Sequence, residues 1–319
     1  MTKVKQLAVK IFSVRELALL LVVIFTGFIL SLVSPYFLSK ANINSLVISF
    51  SYEAIVLDAM TILIVSGGFD LSVGSLVALC GVVAGLGMKL SGSIFLGVFF
   101  ALLVGLICAS INGVVVTKAK VNPLIVTLGM MTIARGLALV ITQGYSVTNL
   151  PANFAFLGQG VVLGIPVPVT IMLVIVILGD VCLRKNRFLR QVYYIGGNEK
   201  AASLSGIRVD QMRIFTYLLT GFAAALAGII LASRLMVGTQ TAGTGLELRV
   251  ISAVVIGGAS LSGGEGTVLG AFLGMIFMAL IGNALTLLNV SLYWHGVVTG
   301  AILILAVSLD MLVKRRRKK

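Results

Sequence analysis

Charged side chains are scarce in this chain, at 11% of 319 residues against 59% hydrophobic, and the mean hydropathy is +1.14. Ordinary soluble domains carry about 25% charged residues, which excludes water as the main solvent around this one. Histidine occurs once, as His295, which excludes a two-histidine zinc helix. The three cysteines, Cys80, Cys108 and Cys182, are odd in number and fall in or beside apolar runs. They read as small packing residues, with no disulfide framework and no metal site. Neither a G-x-S-x-G string nor a G-x-x-x-x-G-K-[ST] loop occurs, so a nucleophile elbow and a phosphate loop are both excluded. The chain is not read as an enzyme, and any ATP hydrolysis it depends on must take place on another polypeptide.

What is present is a series of long apolar runs, such as 17–33, 94–116 and 161–178, that approach the roughly 20 residues a helix needs to cross a bilayer. A membrane barrel would show short alternating segments instead. The fold class is therefore all-α, a polytopic transmembrane helix bundle in a lipid bilayer. Residues 1–319 are expected to form a single transmembrane domain. Ten spans are expected: 17–34, 44–66, 70–88, 93–116, 122–142, 161–183, 213–232, 246–262, 265–288 and 292–312. The eighth is too short to span alone, because Gly257 and Gly258 interrupt its apolar part, and it reads as a broken or re-entrant helix.

The formal net charge of +14 raises nucleic acid as a partner, and the placement of the charges argues against it. Of 24 basic residues, 19 lie at Lys3, Lys5, Lys10 and Arg15, at Lys118 and Lys120, between Arg184 and Arg213, and in the tail from Lys314 to Lys319. Positive loops stay cytoplasmic, which places both termini and the 184–212 connection on that side and requires an even number of crossings. The basic start before residues 17–33 resembles a secretory signal, but the segment is long and lacks a small-residue cleavage site, so it reads as a retained anchor.

Two glycine strings, Gly67-Gly68-Phe69-Asp70-Leu71-Ser72-Val73-Gly74 and Gly257-Gly258-Ala259-Ser260-Leu261-Ser262-Gly263-Gly264, share five of eight positions. Matching glycine breaks point to a transport site on discontinuous helices, while the plainer reading is two tight turns between helices. Small residues at helical spacing, including Gly81 with Gly85 and Gly221 with Gly228, permit close helix approach.

A charge inside the membrane costs about 2.5–3.5 kcal/mol on insertion scales, so Glu53, Asp58 and Arg135 need partners or a purpose. Counted along their helices, Glu53 and Arg135 lie about 13 and 10 Å from the outer side, which suggests a structural ion pair. Asp58 falls near the midplane with Thr61 on its face. The functional alternative places Asp58, Thr61, Asp70, Ser72, Arg135, Gly257 and Gly258 along a solute path, where such groups hydrogen-bond hydroxyls.

In the long connection, Asn198 can cap a short helix that opens with Glu199, continues through Ala201 and Ala202 and stops at Gly206. It reads either as a helix that docks into a partner or as a plain loop. Glu199-Lys200-Ala201-Ala202 with Gly206 resembles the E-A-A…G coupling motif of ABC importer permeases. The strings GGFDLSVG (67–74), AGTGLE (242–247) and AVVIGGASLSGG (253–264) resemble the ribose-type, monosaccharide branch, related to the branched-chain amino-acid permeases. Lesser matches run from about Leu38 to Asp310.

That resemblance implies a bacterial inner-membrane permease working as a homodimer or a heterodimer with a similar permease. It implies cytoplasmic ATP-binding subunits carrying ATP and Mg, an extracytoplasmic sugar-binding protein, and no cofactor on this chain. It also implies alternating access, with Asn198, Glu199, Ala201, Ala202 and Gly206 taking the stroke from the ATPase. Uncharged residues are usual in that branch where Glu53 and Asp58 stand, and an acidic one where Arg249 stands, departures that bear on the substrate. A nucleoside, a furanone signal or a branched-chain amino acid fits the same architecture, and an ion-coupled secondary transporter is the rival of a different class.

Overall fold

The computed structural model describes residues 14–291 and 293–317; the basic start up to residue 13 and the last two lysines lie outside the described residues. Within them the chain is almost wholly helical. Helices α1 (Val14–Val33), α2 (Lys40–Val65), α3 (Val73–Ser91), α4 (Ile94–Lys118) and α5 (Pro123–Thr142) come first. A 3₁₀ turn (Ala152–Ala155), a short α6 (Phe156–Gln159) and a two-residue hairpin of β1 (Val161–Val162) and β2 (Ile165–Pro166) lead to α7 (Val167–Lys185). The expected span 161–183 therefore starts late, because 161–166 is spent on the hairpin. Then follow α8 (Gln191–Gly197), α9 (Glu199–Leu204), α10 (Val209–Leu235), α11 (Leu246–Ile256), α12 (Val268–Leu287) and α13 (Tyr293–Arg317).

Eight of these helices, α1–α5, α7, α10 and α12, are long and apolar enough to cross a membrane. Contacts at the two ends of the bundle fix their directions. At one end Lys118 and Lys120 reach Asp210, joining the end of α4 to the start of α10. At the same end Arg184, closing α7, meets Glu16 on α1 at 2.9 Å, and Glu16 also accepts from Thr267 before α12. This is the basic end. At the far end Asn42, opening α2, pairs with Asn283, closing α12, and a bridge joins Val147 to Gly238. Successive helices thus run in alternate directions.

Helix α11, at 11 residues, is about 16 Å long and cannot span by itself. Its crossing is completed by the irregular stretch 236–245, which descends from the far end. Gly238 lies against Gly81 of α3, and Gly243 lies against Gly74 near the start of that helix. Non-helical backbone is tolerated at membrane depth only inside protein or along a cavity, and here Gly238 and Gly243 are buried against α3 while Arg135 of α5 donates to the Gln240 and Ala242 carbonyls. Helix α13 adds a shorter apolar stretch, Tyr293–Ser308, among the described residues. The expected span 246–262 was displaced: the irregular half comes before the helix rather than after it.

Helices α2, α3 and α10 form the centre, with α1, α4 and α5 largely on the outside. Lipid tails are as apolar as leucine, so close packing holds such a bundle together rather than escape from water. Glycine allows that approach: a Cβ on Gly105 would come within 2.7 Å of the Gly221 carbonyl, and one on Gly87 within 2.8 Å of the Gly97 Cα. Ile55, Leu57 and Met60 of α2 and Tyr217 of α10 are fully buried.

Candidate functional site

At the basic end the connection between α7 and α10 projects as α8 and α9. The Asn198 side chain accepts from Ala201 N at 3.0 Å and caps α9, and Gly206 ends it at φ +84°, a conformation that favours glycine. Glu199 is held by Arg213 of α10 at 2.9 Å. Ala202 turns inward and is buried, so Ala201 and Leu204 make up the outward face, and Leu204 is 91% exposed. An apolar side chain that exposed, on a helix anchored at both ends, is suited to a partner's pocket.

Helix α8 links this projection to the membrane helices. Val192 and Ile195 are buried, and the Tyr193 hydroxyl donates to the Gly266 carbonyl at 2.7 Å. Burial pushes the Tyr193 phenol up to about 12, so it remains a neutral donor. Gly196 lies directly on the Val65 carbonyl that ends α2, and the amide of Gly264 donates to the same carbonyl at 2.8 Å. Both glycine strings thus converge on one point beneath α8. They also share a local turn: Asp70 Oδ1 accepts from Ser72 N at 2.8 Å, and Ser260 Oγ accepts from Ser262 N at 3.2 Å.

The residues expected along a solute path do not form one group. Asp70 and Ser72 are sealed among α3, α4 and α10, where Asn112 donates to Ser72 Oγ at 3.1 Å and Thr220 donates to Asp70 at 3.3 Å. Thr61 is buried and bonds back to the Leu57 carbonyl. Asp58 presses its carboxylate against Gly179 of α7, and among the described residues its Oδ1 has no hydrogen-bond partner. Gly257 lets the end of α11 rest on Ala271 of α12, and Gly258 follows at φ +91°.

The expected pair of Glu53 with Arg135 is not formed. Glu53 instead accepts from Arg249, Nη2 at 2.8 Å and Nε at 3.1 Å. Arg135 donates to the carbonyls of Gln240 and Ala242, the latter at 2.9 Å. The reason lies in the broken crossing. Because 236–245 takes up the outer half, α11 begins inside the bundle and carries Arg249 to the level of Glu53, while the loose carbonyls above it occupy Arg135.

Around this ion pair opens a cavity of about 780 Å³ bounded by α2, α11, α12 and α13 and the turn before α11. Asn42, Ser45, Ser49 and Glu53 line it from α2, Asn283 from α12 and His295 from α13. Apart from Glu53, none of these was expected from the sequence. Their spacing of three, four and four residues along α2 was the available signal, a polar stripe on one helical face. Among the described residues no group of three or more His, Cys, Asp or Glu could hold a metal ion.

Comparison with known proteins agrees with this architecture. Residues 42–307 match the family described as branched-chain amino acid transport system / permease component. The ribose import permease protein RbsC of Bacillus subtilis is 43% identical over 88% of this chain and 88% of its own length. That of Haemophilus influenzae is 40% identical over the same shares. An L-arabinose ABC transporter permease protein, AraH of Azospirillum brasilense, is 38% identical over 91% of this chain and 85% of its own. No solved structure matches. With a family match over most of its length and relatives near 40% identity, this helical bundle belongs to the branched-chain amino acid transport system permease family.

Proposed function

We propose that the chain is the membrane-spanning permease subunit of an ATP-driven importer that carries a monosaccharide into the cytoplasm by alternating access. The observation that carries this reading is the projecting helix α9, capped by Asn198, tied to α10 through Glu199 and Arg213, and presenting Leu204 to solvent. A bare connecting loop needs none of these. Similarity to ribose and arabinose permeases supports a sugar as the solute.

In this reading the bacterial inner membrane holds the bundle with both termini and the 184–212 connection in the cytoplasm, where basic loops remain. ATP and Mg belong to cytoplasmic ATP-binding subunits docked on α9, and an extracytoplasmic binding protein delivers the sugar. A second copy or a similar permease completes the dimer. A stroke on α9 passes through α8 to Gly196 and the ends of α2 and α11. Asp58, Thr61, Asp70, Ser72, Gly257 and Gly258, sealed in this arrangement, would meet solute only after those helices part.

Co-purification with the ATP-binding subunit tests the docking. Ala201→Glu and Leu204→Asp, both on the outward face, are expected to abolish association while the permease still elutes as a folded species. Undiminished co-purification of both variants would overturn the assignment.

A further inference from the structure

The connection from α5 to α7 crosses the far end of the bundle as 24 residues, 143–166, with no charged side chain among them, and the next charge along the chain is Asp180. A stretch of that length in water ordinarily carries about six. Most of it is pinned to the protein. Val147 pairs with Gly238, Phe154 is buried, and Gln159 donates to the Arg234 carbonyl at 2.8 Å where Gly158 lies against the backbone of α10. The β1–β2 hairpin stands clear. Its six residues, 161–166, hold no polar side chain; Val161, Val162 and Ile165 are exposed, and Leu163 at the tip is 97% exposed. Leu163 and Gly164 turn the chain at φ +52° and +81°, a left-handed pair that favours asparagine and glycine. A leucine stands there against that preference, and the protein itself offers its side chain almost no contact.

Position in the membrane supplies the partner. Helix α7 starts at the hairpin, and its 19 residues make it about 28 Å long, close to the roughly 30 Å hydrocarbon core. Arg184 and Lys185 in its last turn mark the basic edge, which sets Val167 at the opposite edge, and any tilt sets it slightly deeper. Val174, Ile177, Leu178 and Val181, exposed at helical spacing, give α7 a face turned to lipid. The hairpin continues from that helix, clamped to its first residue by the Val167 amide, which donates to the Gly160 carbonyl at 2.8 Å. Its apolar tip therefore lies at headgroup level, directly beyond a lipid-facing surface. Tyr145 is also exposed on this connection, and tyrosine collects at that depth. A protein partner would be a poorer match, because protein interfaces set complementary charges in a polar rim. Exposed charges at this end stand elsewhere, on Lys40 at the start of α2 and Lys89 near the end of α3.

We propose that the β1–β2 hairpin is a lipid anchor: Leu163, backed by Val161, Val162 and Ile165, inserts into the headgroup–acyl boundary of the leaflet at the far end and fixes the start of α7 at that depth. Insertion stops at the boundary, about 5–10 Å in, because a two-residue ladder leaves backbone groups at the tip that need water or headgroups and find neither in the hydrocarbon core. Since the hairpin carries no charge, a neutral lipid such as phosphatidylcholine is sufficient to hold it.

The chain has one tryptophan, Trp294, so Trp294→Phe gives a background without tryptophan emission. The full permease carrying Leu163→Trp in that background is reconstituted in phosphatidylcholine liposomes. Its emission is expected at short wavelength, falling by about half when the lipid is brominated high on the acyl chains and by less when brominated near the methyl ends, as insertion about 5–10 Å deep requires. Leu204→Trp, on the projecting helix α9, is the water-exposed reference. Val161→Trp gives the same measurement if Leu163→Trp fails to fold. Quenching by bromolipid no greater than at the reference, with the emission open to aqueous iodide, would overturn the proposal. Stronger quenching by the methyl-end bromines would overturn it too, by placing the tip in the hydrocarbon core. Emission that leaves the water-exposed range only when the binding protein is added would make the hairpin a protein-docking surface instead. None of these outcomes depends on what the bundle carries, so the importer reading stands or falls separately.

Discussion

Replacing Glu53 by Gln leaves Arg249 facing a neutral amide in a place that is neither lipid nor open water. Removing one partner of a fully buried pair costs about 3–5 kcal/mol, whereas an exposed pair contributes at most about 1. The side chains of Glu53 and Arg249 are 12% and 33% exposed, so the pair lies between these limits. A loss of about 2 kcal/mol is expected for Glu53→Gln and for Arg249→Gln, with the double variant losing less than the sum by about 1–2 kcal/mol. Equilibrium unfolding in mixed dodecyl maltoside and SDS micelles, followed by circular dichroism, reads these differences. The companion cycle of Glu53→Gln with Arg135→Gln should be additive within about 0.5 kcal/mol, because Arg135 bonds to Gln240 and Ala242 instead. Additivity in the first cycle, or coupling in the second, would refute the placement of Arg249 and with it the broken crossing that puts it there.

Three further outcomes follow from close contacts. Gly179→Ala should destabilise the bundle by about 1–3 kcal/mol through collision with the Asp58 carboxylate, and adding Asp58→Ala should recover part of that loss in the same unfolding measurement. Gly196→Ala, wedging α8 off the Val65 carbonyl, should leave the ATP-binding subunit co-purifying while sugar uptake is lost. Asn198→Ala should cost about 1 kcal/mol of local helix stability, weakening association with the ATP-binding subunit about fivefold in a titration.

The helical, membrane-embedded class was legible because hydropathy and basic edges depend on local composition, and eight of the expected spans appear as uninterrupted helices. The short helix 199–204 was legible for the same reason, since Asn198 caps it through a bond three residues away. The descending stretch 236–245 was not. Its backbone is accommodated by α3 and α5, and nothing local in its sequence carries that information. From this one displacement comes the wrong partner for Glu53: depth counted along separate helices matches Glu53 with Arg135, whereas the broken crossing carries Arg249 to the level of Glu53. The polar lining of the cavity beside Glu53 was half legible. Asn42, Ser45, Ser49 and Glu53 repeat at helical spacing, yet His295 follows Tyr293 and Trp294 and reads as an interfacial anchor until α13 is placed against α2 and α12.

The central claim is that this bundle transports sugar only when driven by a separate ATPase. Uptake of labelled D-ribose and L-arabinose into liposomes, measured with the permease alone and then with the ATP-binding subunit and the binding protein added, tests it most directly. Uptake is expected only when ATP and both partners are present; accumulation by this chain alone under an imposed ion gradient would contradict it.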